Sequence, residues 1–169
     1  MPIIHVRFIL DTSAVINGFE TEREDEIIIP LAVSEELKSG ESRNRMEVLL
    51  ALGAVTETPG AESMKETREK AEKLGEITRL SEADITVIAL GLERNACVVS
   101  DDYSIENLCS YMGLDFLPAH TKGIRNVFRY AYRCTGCGRY HREYHDACPV
   151  CGSSLKARRT YDSKVKEIR

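Results

Sequence analysis

The chain has 169 residues, room for one medium domain and one small one, and its hydrophobic content of 43% is ordinary for a globular protein. No apolar run approaches a membrane span, and the N-terminal stretch MPIIHVRFILDTS, with an early His and Arg, reads as a buried strand rather than a signal peptide. The net charge of −4 hides an asymmetry: residues 1–125 hold 13 Lys+Arg against 23 Asp+Glu, whereas residues 126–169 hold 10 against 4.

Strand and helix signals alternate through the acidic part. Ile3–Leu10 is a short apolar run with β-branched residues that stops at Asp11-Thr12-Ser13. Glu26–Ile29 is a second strand, and Pro30 suits the first turn of a helix running to about Lys38 and stopped by Gly40. Ser42–Leu52 is a further helix, Ala54–Glu57 a short strand, and Ala61–Leu74 a strongly charged helix with one exposed face. Ser81 caps a helix over Glu82–Glu93, followed by a buried strand Ala96–Ser100, a helix Ile105–Met112 and an edge strand Asp115–Leu117. Repeated β-α units predict an α/β domain over residues 1–118, a mainly parallel sheet flanked by helices. Cys97 and Cys109, in apolar contexts, read as reduced core residues.

Residues 119–126 read as a linker. Beyond it, Phe128, Tyr130 and Tyr132 alternate with Arg129 and Arg133, a strand period leading into Cys134-x2-Cys137-x10-Cys148-x2-Cys151. Each cysteine pair is followed by glycine, so two tight turns can each offer two sulfurs to one tetrahedral Zn²⁺, a closed structural site. Residues 127–159 are therefore expected to form a small β zinc ribbon, with a tail over 160–169. His141 and His145 lie within the ribbon, but four cysteines already complete the zinc. A basic, aromatic module suits a polyanion. Arg129, Arg133, Arg139, Arg142, Lys156, Arg158 and Arg159 are the candidate phosphate contacts, and exposed tyrosines could stack on unpaired bases.

In an open parallel sheet, ligands gather at the carboxyl ends of the strands. Asp11 follows the first strand directly, and Asp101 and Asp102 follow the strand Ala96–Ser100. Crossover helices start at the same edge, which adds Asp84 in the first turn of one and Glu36 in the second turn of another. Each has a bland reading. Asp11 can cap the turn before Ser13, Asp84 can close a Ser81-Glu82-Ala83-Asp84 capping box, Glu36 can be a solvated helix residue, and Asp101-Asp102 can be a turn pair. Together they point to a metal site, because converging carboxylates are unfavourable unless a hard cation such as Mg²⁺ or Mn²⁺ compensates them. Such a cation supports in-line phosphodiester hydrolysis without His or Lys as primary base. The sequence offers no Ser-His-Asp set, Walker loop or GxGxxG.

Leu10-Asp11-Thr12-Ser13-Ala14, Ser34-Glu35-Glu36-Leu37, Leu80-Ser81-Glu82-Ala83-Asp84-Ile85 and Val99-Ser100-Asp101-Asp102 resemble, in order, the acidic motifs of PIN-domain ribonucleases. The resemblance covers residues 3 to about 118. A PIN domain followed by a four-cysteine ribbon further resembles the NIN-one-binding (Nob) family of ribosome-assembly endonucleases. In that family Ser100–Asn107 corresponds to a Thr-Asp-Asp segment usually carrying Gln-Asn. Ser100 for Thr keeps the hydroxyl, and Glu106 stands in place of Gln. The resemblance implies a cytoplasmic, metal-dependent endoribonuclease that removes the 3′ extension of precursor small-subunit rRNA in company with the pre-ribosomal subunit and its assembly factors, leaving 3′-hydroxyl and 5′-phosphate ends. It also implies Asp11, Asp84 and Asp102 as Mg²⁺ or Mn²⁺ ligands, and leaves open whether Asp101 or Asp102 meets the metal. Thr12 or Ser13 could add a hydroxyl to the metal's surroundings. Two alternatives stand beside this reading: a non-catalytic RNA-binding assembly factor, and a VapC-type PIN toxin, against which the ribbon counts because such chains usually end near the PIN boundary.

Overall fold

The computed structural model describes residues 6–21, 25–120, 123 and 126–164, without the side chains of 126–129 and 159–164. Five parallel strands, β1 (Arg7–Leu10), β2 (Glu26–Pro30), β3 (Val55–Glu57), β4 (Cys97–Val99) and β5 (Phe116–Leu117), form one sheet in the order β3-β2-β1-β4-β5. The order reverses between β1 and β4, neighbours in register through Leu10 and Val99. At such a switch point the two chains leave in opposite directions and open a crevice.

Six helices connect and cover the strands: α1 (Thr12–Ile16), α2 (Leu31–Glu36), α3 (Gly40–Ala51), α4 (Ala61–Leu74), α5 (Glu82–Arg94) and α6 (Tyr103–Met112). Alpha-1 is an addition to the sequence expectation, a single turn immediately after β1. The expected strand at Ile3–Leu10 is β1 from Arg7, and Ile3 and Ile4 lie outside the described residues. Alpha-5 is the central helix, with Ala83, Ile85–Gly91 all buried, and Ile9, Leu10, Ile28, Ile29, Val98 and Val99 are sealed beneath the helices. Central strands covered on both faces need near-continuous apolar runs, which β1, β2 and β4 supply. In α4, burial falls on Ser63, Thr67, Ala71 and Leu74, a stripe at helical spacing on an otherwise charged helix. Cys109 is sealed in the core, and burial pushes the Cys97 thiol up to about 12. Both behave as inert packing residues.

A second sheet, antiparallel and three-stranded, consists of β6 (Asn126–Cys134), β7 (Tyr140–His141) and β8 (Leu155–Lys164), in the order β7-β6-β8. Residues 160–164, expected as tail, are strand: β8 continues to Lys164 opposite Asn126. Residues 165–169 lie outside the described residues. Asn126, expected in the linker, opens β6.

The ribbon docks on the first domain through β6, which packs against α6 and against the end of α4. Tyr132, 2% exposed, donates its O–H to the Gly75 carbonyl at 3.1 Å, and the Arg79 guanidinium sits 4.0 Å from the Tyr130 ring centroid. Gly75 ends α4 at φ +82°, and a Cβ there would lie 2.5 Å from the Tyr130 carbonyl oxygen and 2.8 Å from the Tyr130 Cβ. Gly75→Ala therefore combines left-handed backbone strain with a collision against β6. It is expected to destabilise the protein by about 2 kcal/mol or more in denaturant unfolding, whereas Tyr132→Phe should cost about 1 kcal/mol. Equal stability of Gly75→Ala and the parent would contradict the docking described.

Candidate active site and zinc centre

Asp11 ends β1 at the switch point. Its amide continues the sheet ladder to the Val99 carbonyl at 3.1 Å, and its side chain is 5% exposed. Two serine hydroxyls converge on Oδ2: Ser100 Oγ–H at 2.8 Å and Ser13 Oγ–H at 3.1 Å. Each hydroxyl also accepts a backbone amide from the β4–α6 turn, Ser100 Oγ from Asp102 N at 3.0 Å and Ser13 Oγ from Asp101 N at 3.0 Å. The ends of β1 and β4 are thus stitched together through one carboxylate oxygen. Burial pushes the Asp11 carboxyl above the usual carboxylate range, against the pull of Ser100, the Thr12 amide and Ser13, and the charge of Asp102 adds to the rise.

The two neighbouring aspartates have different fates. Asp101 spends both oxygens on the scaffold: Oδ2 accepts from Asn17 Nδ2 at 2.9 Å and Oδ1 from the His120 amide at 2.7 Å. Asp102 is the N-cap of α6, its Oδ1 accepting from Ser104 N at 2.7 Å, and its charge is felt at both Asp11 and Asp84. Asp84 does close the capping box, Oδ2 accepting from Ser81 N at 2.6 Å and Asp84 N donating to Ser81 Oγ at 3.2 Å. Cap and rim position coexist: burial raises its carboxyl, and Asp11 and Asp102 raise it further. Glu36, exposed at the end of α2, accepts from Thr12 Oγ1 at 2.7 Å, so it joins the rim one residue from Asp11. Beside it, Glu35, Glu36, Lys38 and Glu82 line an open groove of about 580 Å³.

Asp11, Asp84 and Asp102 therefore lie within electrostatic reach of one another, Glu36 is attached at the edge, and Asp101 is turned to bracing the loop. The rim is open. Among the described residues, the four cysteines alone bring three or more His, Cys, Asp or Glu ligand atoms within 4.8 Å of one another. An all-oxygen donor set on an open rim fits a hard cation that keeps several of its waters.

One further acid was not legible. Glu76, in the turn after α4, is 1% exposed, and its Oε1 accepts from Asn107 Nδ2 at 2.5 Å. Next to a helix-ending glycine such a residue normally faces water, and nothing in the local sequence marks it otherwise.

In the ribbon, Cys134 Sγ and Cys151 Sγ lie 3.3 Å apart and Cys137 Sγ and Cys148 Sγ 3.8 Å apart. A zinc tetrathiolate with Zn–S near 2.3 Å has sulfur–sulfur edges of about 3.8 Å, whereas a disulfide needs about 2 Å. The residues fit zinc, and all four cysteines are unbridged. Amides of Gly136 and Cys137 point at Cys134 Sγ, and the Ser153 hydroxyl and amide pull the Cys151 thiol down to about 5, whereas burial and the neighbouring sulfurs push the Cys137 thiol up to about 11. His141 stays outside this set, its Nε2 3.4 Å from Cys148 Sγ, where an N–H can support the ligand rather than replace it. Arg133 pairs with Lys156 and Ala131 with Arg158 across β6 and β8, so three exposed cations share the face opposite Tyr132. Arg139 and Arg142 are also exposed, and Arg142 borders the groove against Glu69 and Glu72. The side chains of Arg129 and Arg159 lie outside the described residues.

A parallel sheet in the order β3-β2-β1-β4-β5, with aspartates at its switch point, is the arrangement expected of a PIN-type nuclease domain. A family model described as the PIN domain of ribonuclease matches residues 8–93. The chain is 38% identical to the endoribonuclease Nob1 of Pyrococcus abyssi, over 91% of this chain and 94% of that one. It is also 38% identical to the ribonuclease VapC1 of Thermoplasma acidophilum, over 96% of this chain and 82% of that one. Among solved structures, VapBC2 of Rickettsia felis bound to a DNA fragment from its promoter matches with a TM-score of 0.52 at 16% identity, covering 67% of this chain and 98% of that one, a likeness of fold alone. The chain belongs to the Nob family of PIN-domain endoribonucleases. The Thermoplasma match, over 96% of this chain, is not confined to the PIN-type domain.

Proposed function

We propose that the acidic rim holds Mg²⁺ or Mn²⁺ and that this endoribonuclease uses it to cut single-stranded RNA, with the 3′ extension of precursor small-subunit rRNA as its natural substrate. The observation that carries the reading is Asp11, a buried carboxyl with Asp84 and Asp102 within electrostatic reach and no cationic side chain bonded to it among the described residues. Such an arrangement is unfavourable in isolation and is relieved by a divalent cation.

Asp11, Asp84 and Asp102 are the proposed ligands. A cation bound there supplies an acidified water as nucleophile and neutralises charge on the phosphodiester. Ser13 and Ser100 fix the Asp11 rotamer, a task distinct from binding the metal themselves. Asp101 braces the loop against Asn17 and His120, and Glu36, tied through Thr12, orients groups at the mouth. The rim and its flanking groove are negative and repel RNA, so affinity must come from elsewhere. Arg133, Arg139, Arg142, Lys156 and Arg158, with Arg129 and Arg159 by sequence, are the proposed phosphate contacts, and exposed Tyr140 and Tyr144 are candidates for base stacking. The setting is the pre-ribosomal small subunit with its assembly factors, in the cytoplasm. No helix among the described residues is long and apolar enough to cross a membrane.

The test is incubation with a short single-stranded RNA and Mn²⁺ or Mg²⁺, followed by analysis of product ends. Metal-dependent products with 3′-hydroxyl and 5′-phosphate termini are expected, and chelation should stop the reaction. Cleavage that persists in excess chelator would contradict the proposal. The match to a VapC1-named relative favours a second reading, a VapC-type ribonuclease with another RNA target. A preferred cut at the rRNA 3′ boundary separates the two.

A further inference from the structure

Glu76 has no evident structural reason to be a carboxylic acid. It is 1% exposed and its Oε2 is sealed with no hydrogen-bond partner, with the Arg79 charge acting on it from beyond bonding distance. Burying a carboxyl this way costs stability, and an apolar residue would fill the same space more favourably. What it gains is a grip on α6. Oε1 accepts from Asn107 Nδ2 at 2.5 Å, with Asn107 itself 3% exposed. Burial raises the Glu76 carboxyl above the ordinary carboxylate range, against the pull of Asn107, the Ser104 hydroxyl and the Arg79 charge. The amide of that same Ser104 donates to Asp102 Oδ1 at 2.7 Å. Glu76 thus grips α6 within about one turn of the Ser104 amide that holds Asp102.

The other side of Glu76 is held as firmly. Its neighbour Gly75 is gripped by the ribbon through the Tyr132 hydroxyl at 3.1 Å, and Gly75 packs against the Tyr130 backbone too closely to admit a Cβ. The Gly75-Glu76 step is thus anchored to both the ribbon's β6 and α6, which also pack on each other directly.

We propose that Glu76 is a positioning residue for the cleavage site, clamping the N-terminal half of α6 through Asn107 so that the Asp102 carboxylate is presented at the acidic rim. The inference rests on the reading that Asp102 is a metal ligand. Outer partners that orient a metal's ligands typically change affinity by about 10–100-fold when removed.

The experiment compares Glu76→Ala, Glu76→Gln and Asn107→Ala with the parent in the full-length protein. Two readouts do not require turnover: Mn²⁺ affinity by titration calorimetry, and hydrogen exchange of the Ser104 amide in the metal-free protein. Glu76→Ala should weaken Mn²⁺ binding about tenfold and expose the Ser104 amide to faster exchange. Asn107→Ala, which breaks the same bond from the other end, should do the same. Glu76→Gln keeps an acceptor for Asn107 and should recover most of both. RNA affinity without divalent metal should not move, which separates positioning from general loss of structure. If Glu76→Ala does not fold, Asn107→Ala carries the test alone. Parental Mn²⁺ affinity and parental Ser104 protection in the folded variants would overturn the proposal. Asp102→Asn is the control for the underlying reading. Unchanged Mn²⁺ affinity in that variant would sink the ligand assignment, whereas weakened binding there beside parental binding in Glu76→Ala and Asn107→Ala would sink only the role of Glu76.

Discussion

Asp11→Asn is expected to abolish RNA cleavage, with a loss of about three orders of magnitude, or roughly 4 kcal/mol of transition-state stabilisation, while leaving RNA affinity intact. The same substitution should raise the melting temperature of the metal-free protein at neutral pH. The Asp11 carboxyl is buried and its folded-state pKa is raised, chiefly by that burial. A raised carboxyl contributes stability that is fully present below its unfolded value and is lost as pH rises through the folded value. Asn carries no such loss. The melting temperatures of parent and variant should therefore converge in acid below the ordinary Asp range and separate as pH rises toward neutrality. Asn also retains a carbonyl for the Ser100 and Ser13 hydroxyls, so the strand ends stay joined. Thermal melts across pH, in chelator, check the stability half, and single-turnover cleavage checks the other. Function held at the expense of stability is the mark of a site arranged for a ligand. Retained cleavage, or a variant that melts lower at neutral pH, would contradict this account of Asp11.

Zinc removal is expected to have the second large effect. Four cysteine sulfurs converge in the ribbon, and structural zinc held by such a set contributes about 10–16 kcal/mol of apparent binding free energy to folding. One zinc per chain should be found by metal analysis. Chelation should melt the ribbon and spare the first domain, because the main hydrophobic core runs from Phe8 to Phe116 and draws on no ribbon residue. Far-ultraviolet circular dichroism should lose its antiparallel strand contribution and keep its helical signal. RNA affinity should fall with it. Losing the three cations that share one ribbon face, Arg133, Lys156 and Arg158, should lower the salt slope of binding by about 2 for a single strand. A single cooperative loss of both parts would show that the Tyr132–Gly75 contact joins them into one folding unit.

The parallel sheet was legible because its central strands are short β-branched runs with polar stops, and the helix over residues 61–74 was legible to the residue because Gly60 and Gly75 bound it. Asp11 could be placed for the same reason, and Asp101 and Asp102 only as a pair: in a parallel sheet the residues that follow a strand stand on the ligand edge. The capping box at Ser81-Asp84 was legible too, as a pattern of local hydrogen bonding. Other features depend on geometry that no local pattern encodes. Asp101 and Asp102 differ only in which way the β4–α6 turn aims each side chain, and that is set by partners at Asn17 and His120, far away in the chain. Residues 160–164 looked like tail because strand pairing with β6 satisfies their backbone without requiring an apolar face. Gly75 reads as an ordinary helix stop, and its second duty, admitting the ribbon's β6, appears only once the two parts meet. Glu76 was hidden for the same reason.

The central claim is division of labour: the carboxylate rim cuts and the basic ribbon directs. It is tested most directly by incubating the protein with a precursor RNA spanning the 3′ end of small-subunit rRNA, in Mn²⁺, and mapping every cut at nucleotide resolution for the parent, Asp11→Asn and the zinc-stripped protein. The account predicts one dominant cut at the mature 3′ boundary by the parent, none by Asp11→Asn, and weakened, scattered cutting after zinc removal. A parental pattern with no preference for that boundary, or the same boundary cut by Asp11→Asn, would contradict it.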